Sequence, residues 1–315
     1  MSVIEVNNLT KDYGSGRGVF DVTFSVNEGE VFGFLGPNGA GKSTTIRHLM
    51  GFSKPQSGTT RIFDKDTFDR YYEILRNVGY IPGEIALPAG LTGWEFIRMM
   101  QDLQHCRNDE YLGELLELFE LDPRGETKRM SLGVKRKLAI VTAFMSDPDV
   151  LILDEPTSGL DPVMQEVFVA YIKKQKERGK TILLSSHIFS EVDATCDRIA
   201  IIKDGRLVSD FVADDLKHSS RKNYEISFSS AEDRMRFAEN GKSSAFFTLL
   251  DKNDDKNSVV ISTDDKYIND VIAVMTDYSI SGFTHLRETL EDYFMSYYKE
   301  DRSFGGAFAS NKKGQ

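Results

Sequence analysis

Between positions 36 and 44 the chain reads Gly36-Pro37-Asn38-Gly39-Ala40-Gly41-Lys42-Ser43-Thr44. This spacing of glycines, one lysine and two hydroxyls suits a phosphate group. The glycines let backbone N–H groups turn inward around phosphate oxygens. Lys42 supplies a point charge to the β- and γ-phosphates of a nucleotide, and Ser43 offers a hydroxyl to Mg²⁺. Further on, Asp154 and Glu155 end an apolar run. Asp154 is placed to meet the Mg²⁺, and Glu155 to polarise a water attacking in line with the γ-phosphate. His187 follows another apolar run and the pair Ser185-Ser186. At the carboxyl end of a parallel strand it faces the same crevice and donates to the γ-phosphate. The competing reading of the loop is a plain glycine-rich turn, and that of the two acids a solvated strand end.

The elements around these residues favour the chemistry. Val31–Leu35 reads as a strand running straight into the loop, and Lys42–Met50 as the helix after it, stopped by Gly51. The helix start adds its positive dipole end. Val150–Leu153 and Thr181–Leu184 are short apolar runs, as expected of strands buried on both faces. Phe20, Val22, Phe24 and Val26 alternate with polar residues, which predicts a half-buried, antiparallel strand. Thr92 and Glu95 form a capping box, so a helix begins there, and a second covers Glu110–Phe119. Asp161 caps a helix with Pro162 at its first position and Gly179 at its end. Ile199–Ile202, Asp204-Gly205 and Leu207-Val208 predict a tight hairpin.

Composition shifts after Asp214. The stretch 217–223 reads as a polar linker, followed by strand, helix, two strands, helix and strand between Tyr224 and Leu286, and a last helix over Thr289–Tyr298. That order is β-α-β-β-α-β, as in a ferredoxin-like unit. Three regions are therefore expected: 1–214, 215–300, and a disordered tail at 301–315.

Of the 315 residues, 40% are hydrophobic and 28% charged, and the net charge of −10 argues against a nucleic-acid surface. Cys106 and Cys196, the only cysteines, have no zinc or disulfide spacing and fit a reducing compartment. The first residues show no secretory signal, and no apolar run reaches membrane-spanning length. A membrane role has to come through a partner.

Taken together, these motifs resemble the nucleotide-binding subunit of ATP-binding-cassette (ABC) transporters. Gly36–Thr44 is similar to that family's Walker A motif, Leu151–Pro156 to its Walker B motif with catalytic glutamate, Ser158–Asp161 to its D-loop, and Ser185–His187 to its switch histidine. The resemblance implies an α/β fold, with a P-loop ABC ATPase core, an antiparallel β subdomain and a helical subdomain. It implies ATP and Mg²⁺ as cofactors, and ATP held between two subunits arranged head to tail. Met130–Val134 then corresponds to the signature segment. Ser131 and Gly133 would bind the partner's γ-phosphate, while Asp161 lies in the D-loop at the same site. Tyr13 resembles the aromatic that stacks on adenine. Trp94 and Phe96 lie where the family meets its membrane subunit, although a core role is equally open.

Two positions depart from the family pattern. Leu132 replaces the signature's first glycine, which requires a negative φ and a side chain that points away. Lys135, Arg136 and Lys137 follow, and oppose the helix dipole unless an anion or solvation offsets them. Gly83 stands where the family has a glutamine that touches Mg²⁺, followed by Glu84. Water could fill that place, Glu84 could swing in, or coupling could run through backbone alone. Water is the favoured reading.

The C-terminal region is similar to extensions of ABC-2-type exporter ATPases. The expected function is ATP hydrolysis that powers an exporter, with ATP closing a dimer and hydrolysis reopening it. The expected partners are two integral membrane permease subunits and a second copy of the chain. The place is the cytoplasmic face of the cell membrane. The alternatives are a soluble ABC ATPase acting on ribosomes or nucleic acid, and a monomeric P-loop kinase, for which Ser131 and Gly133 have no use.

Overall fold

The computed structural model describes residues 1–217, 221–241, 244–286 and 289–299. These form two compact units, the first ending at Ala213 and the second beginning at Asp214.

In the first unit, β1 (Ser2–Gly14) and β2 (Arg17–Asn27) form an antiparallel hairpin. β4 (Ser57–Ile62) and β5 (Lys65–Asp66) extend it into a sheet of order β2-β1-β4-β5. The alternation along β2 buries Val22, Phe24 and Val26 as expected, but Phe20 is only half-buried and Val19 takes the buried place, because Asp21 at φ +58° shifts the register. A second, six-stranded sheet contains β3 (Val31–Leu35), β6 (Val78–Ile81), β7 (Val150–Asp154), β8 (Thr181–Ser186), β9 (Arg198–Lys203) and β10 (Arg206–Val212). Its order is β10-β9-β3-β8-β7-β6, parallel except for the β9–β10 hairpin. All residues of β3, β7 and β8 are buried, which explains their apolar or small-residue sequences, broken only by Asp154 at the end of β7.

One core joins the two sheets. Phe24 stacks on Phe32 with centroids 5.1 Å apart, while Ile46 and Leu49 of α1 (Lys42–Leu49) pack into the same cluster as Ile152 and Leu183. After the short α2 (Tyr71–Ile74) come three helices, α3 (Gly93–Gln104), α4 (Asp109–Leu118) and α5 (Leu132–Phe144). The Thr92/Glu95 capping box is present at the start of α3, with both reciprocal bonds made. α6 (Pro162–Glu177) and α7 (Phe189–Thr195) flank β8 in sequence.

The second unit begins with α8 (Ala213–Lys217), whose first residue closes the first unit, and continues through β11 (Arg221–Phe228), α9 (Ala231–Asn240), β12 (Phe247–Asn253), β13 (Ser258–Asp264), α10 (Ile268–Met275), β14 (Ile280–Leu286) and α11 (Leu290–Lys299). Its sheet runs β12-β13-β11-β14, antiparallel throughout, so the first strand lies inside and the second at an edge. This is the split arrangement of a ferredoxin-like unit. Phe237 stacks on Phe247 at 5.2 Å over a small core of its own.

The polar stretch 217–223 is not simply a linker. β11 already begins at Arg221, because Lys222 pairs with Asp265 at 2.7 Å and Tyr224 sits opposite Ile261 in the ladder. The tail at 301–315 lies outside the described residues.

Candidate nucleotide-binding site

β3 delivers the glycine loop, and the loop is shaped by close approaches that only glycine permits. A Cβ on Gly36 would come within 2.6 Å of the Ile202 carbonyl. Gly41 has φ +114°, and a Cβ there would meet Val19 at 2.8 Å. Gly41 is also the N-cap of α1 and places no side chain over the helix start. The first-turn N–H groups are therefore free for an anion. Lys42 is 4% exposed, and its Nζ donates to the carbonyls of Gly36 (2.6 Å) and Pro37 (3.2 Å). Ser43 and Thr44 are half-buried, whereas Pro37, Asn38 and Gly39 are exposed.

Parallel register sets Asp154 of β7 opposite Ser185 of β8, and the Ser185 hydroxyl donates to the Asp154 carboxylate. The next residue, Glu155, takes a left-handed backbone with φ +48°, held by its N–H donating to the Ser185 carbonyl at 3.0 Å. An L-residue enters this region at a cost, which the surrounding contacts sustain. The turn sends Glu155 away from Asp154, as the sequence suggested. The Glu155 carboxylate lies between Lys42 Nζ at 3.2 Å and His187 Nδ1 at 3.3 Å. Three residues chosen separately from the sequence thus meet at one carboxylate.

Tyr13, 55% exposed, lies near the tip of the β1–β2 hairpin, where Lys11 pairs with Val19 and Asp12 with Gly18. Val19 is the residue that touches Gly41, which brings this tip beside the phosphate loop. Ser131, Gly133 and Asp161 fall elsewhere. Ser131 is exposed and caps α5, accepting from Val134 N–H at 3.3 Å, and Asp161 caps α6, accepting from Met164 N–H at 3.0 Å. Gly133 lies against the Gly159 carbonyl. Among the described residues no hydrogen bond joins Ser131 or Gly133 to Gly36–Thr44 of the same chain. Leu132 is the first residue of α5, so its φ is helical, and its side chain leans on Gly159.

Several neighbours were not singled out as site residues. The basic run at the start of α5 reads as needing solvation or an anion; for Arg136 solvation is replaced by carbonyl partners, with the charges of Asp154 and Glu155 acting on it. Its guanidinium is buried and donates to the carbonyls of Ser158 (3.0 Å), Pro82 (2.9 Å) and Gly83 (2.8 Å). Burial lowers its pKa from the ordinary value, while the charges of Asp154 and Glu155 oppose that shift. Gly83 sits so close to Asp154 that a Cβ would fall 2.9 Å from its Oδ2, and Glu84 is exposed. Glu191 of α7 accepts from the Ser186 hydroxyl at 2.6 Å, and burial pushes its carboxyl up to about 7. That same hydroxyl accepts from Ile188 N–H at 3.0 Å, so Glu191 braces the turn that carries His187.

A buried strand entering a glycine loop and helix, with a carboxylate pair on the next-but-one parallel strand, defines a P-loop nucleotide-binding protein. The particular family follows from comparison with known proteins. The model of the ABC transporter family matches residues 19–158. The bacitracin transport ATP-binding protein BcrA of Bacillus licheniformis is 40% identical over 233 residues, 72% of this chain and 76% of that one. The Nod factor export ATP-binding protein I of Burkholderia orbicola is 35% identical over 214 residues, 66% of this chain and 70% of its own. The dimeric, post-hydrolysis structure of the cassette MJ0796, bound to ADP and Pi, has a TM-score of 0.61 at 25% identity, over 67% of this chain and 98% of that one. The chain belongs to the ATP-binding proteins of ABC transporters, and it is an ATPase of that family, with ATP hydrolysis coupled to transport.

Proposed function

We propose that this chain is the ATP-hydrolysing subunit of an exporter, acting as a pair of copies on two membrane permease subunits at the cytoplasmic face. The export named for the Nod factor relative supports the direction of transport. Among the described residues no helix is long and apolar enough to cross a membrane, so attachment runs through the permease. An apolar cavity of about 350 Å³, lined by Phe52, Tyr72, Tyr80, Met100 and Leu103, supports a protein partner on the first unit. Residues 1–214 form the ATPase domain and 215–300 an accessory domain.

The observation that carries the mechanism is Glu155, turned by its left-handed backbone toward Lys42 and His187. Lys42, the loop amides and the start of α1 hold the β- and γ-phosphates, and Tyr13 stacks on the base. Glu155 accepts the proton of the attacking water, and His187 donates to the γ-phosphate. Mg²⁺ suits the donors present, since Asp154 is a nearly buried carboxylate whose Oδ2 borders the space left by Gly83, and Ser43 adds a hydroxyl. Bound there, the ion would neutralise phosphate charge. Ser131 and Gly133, with no bond to their own phosphate loop, serve the partner's ATP, and Asp161 lies in the same interface. The dimeric MJ0796 cassette supports this closure.

The test is Glu155→Gln. It is expected to bind ATP, to dimerise at saturating Mg-ATP by light scattering, and to hydrolyse roughly a hundred- to ten-thousandfold more slowly. A protein that stays monomeric under those conditions counts against the paired site, and one that keeps wild-type turnover removes Glu155 from its role.

A further inference from the structure

We propose that Arg136 is the positioning residue of this ATPase, fixing the Glu155 turn and Gly83 to the start of α5 through main-chain carbonyls alone. This rests on the reading of Glu155 given above.

Three segments converge on one guanidinium. Pro82 and Gly83 follow β6, Ser158 follows β7, and Arg136 lies in the second turn of α5. Ser158 belongs to the Glu155 turn, because its N–H donates to the Glu155 carbonyl at 3.1 Å. The neighbouring Gly159 is pressed against α5 as well. A Cβ on Gly159 would meet Leu132 Cγ at 2.8 Å, and one on Gly133 would meet the Gly159 carbonyl at 3.0 Å. The turn that carries Glu155 and the helix start that carries Ser131 are therefore one packed body.

The other side of the clamp is Gly83. A Cβ on it would fall 2.9 Å from Asp154 Oδ2, and its carbonyl is held by Arg136. A glutamine here would report on the site through its side chain. In this chain the connection is made by the backbone instead, and the planar fork of arginine supplies donors at the angles needed to hold carbonyls from separate segments. Removing the fork leaves three carbonyls short of a partner. The consequence falls on the aim of Glu155, because a small misplacement of a catalytic group is expensive even when its cause is remote. Lys42 and the glycine loop make no bond to Arg136, so nucleotide affinity does not depend on it.

The experiment measures steady-state ATPase activity and thermal melting of the full chain as Arg136→Met and Arg136→Lys. Arg136→Met keeps bulk without donors. It is expected to lower kcat roughly ten- to a hundredfold with KM for ATP within about twofold of wild type. Arg136→Lys, which keeps charge but loses the fork, should fall between the two. Wild-type kcat in Arg136→Met overturns the proposal, as does a loss that appears in KM instead. Where Arg136→Met does not fold, Arg136→Lys decides by the same split. Failure of both to fold leaves only a stabilising role and also overturns it. Glu155→Gln measured alongside separates the two ideas, since wild-type turnover in that variant sinks the reading of Glu155 whatever Arg136 does.

Discussion

Two helices of the first unit begin in ways suited to phosphate, α1 with Gly41 and α5 with Ser131. At α1 the cap is a glycine in a left-handed conformation, the amides are open, and a buried lysine stands over the loop. At α5 the cap is a serine already bonded to Val134 N–H, the first turn carries no acid, and Ser131 and Leu132 are exposed. The first start has glycines, cation and carboxylates within one chain. The second has no such set of groups around it, and under the proposed pairing it would meet the partner's phosphate. The difference teaches that what surrounds a helix start, more than its cap, separates the two proposed phosphate sites.

The comparison breaks if the two starts respond alike to mutation. Lys42→Ala should have the larger effect, weakening ATP binding by the isolated chain roughly ten- to a hundredfold, as loss of a charged hydrogen bond does. Titration calorimetry measures it, and unchanged affinity would mean that the loop does not hold the phosphates. Ser131→Ala should leave that binding within about twofold while lowering turnover about tenfold, and should destabilise the fold by about 1 kcal/mol through loss of the cap. If it weakens binding by dilute monomers as strongly as Lys42→Ala, the second start belongs to its own chain's site.

The smallest effect concerns Glu191, which braces the turn carrying His187. Glu191 has its carboxyl raised from 4.5 to about 7. The unfolded chain gives up that proton first, so the contribution of Glu191 to stability should fall as pH rises from about 4.5 to about 7 and then level off. Glu191→Gln should flatten that part of a melting-temperature profile, and an unchanged slope would assign it to other groups.

Local features were legible in the sequence. Gly36–Thr44, the Thr92/Glu95 box and the Asp161 cap depend on residues a few positions apart, and each forms as its residue types dictate. β1 was missed because its alternation breaks. Ile4 and Val6 face inward, then Asn8 at φ +48° shifts the register before Leu9. The role of Arg136 was hidden for a different reason. Its partners are carbonyls, which every residue possesses, so no side-chain pattern announces them. The start of β11 was hidden because its polar residues pair with Asp265 and the ladder rather than with a core.

Gly83 has a consequence for how this protein can change. With Asp154 Oδ2 only 2.9 Å from where its Cβ would lie, a side chain at 83 requires the carboxylate of the proposed metal ligand to shift. Introducing glutamine at 83 would therefore press on the Asp154 carboxylate, which Ser185 holds from its other side, before it disturbed anything else in the site. The bare α-carbon at 83 thus keeps clearance for the Asp154 carboxylate, while its carbonyl is tied to Arg136.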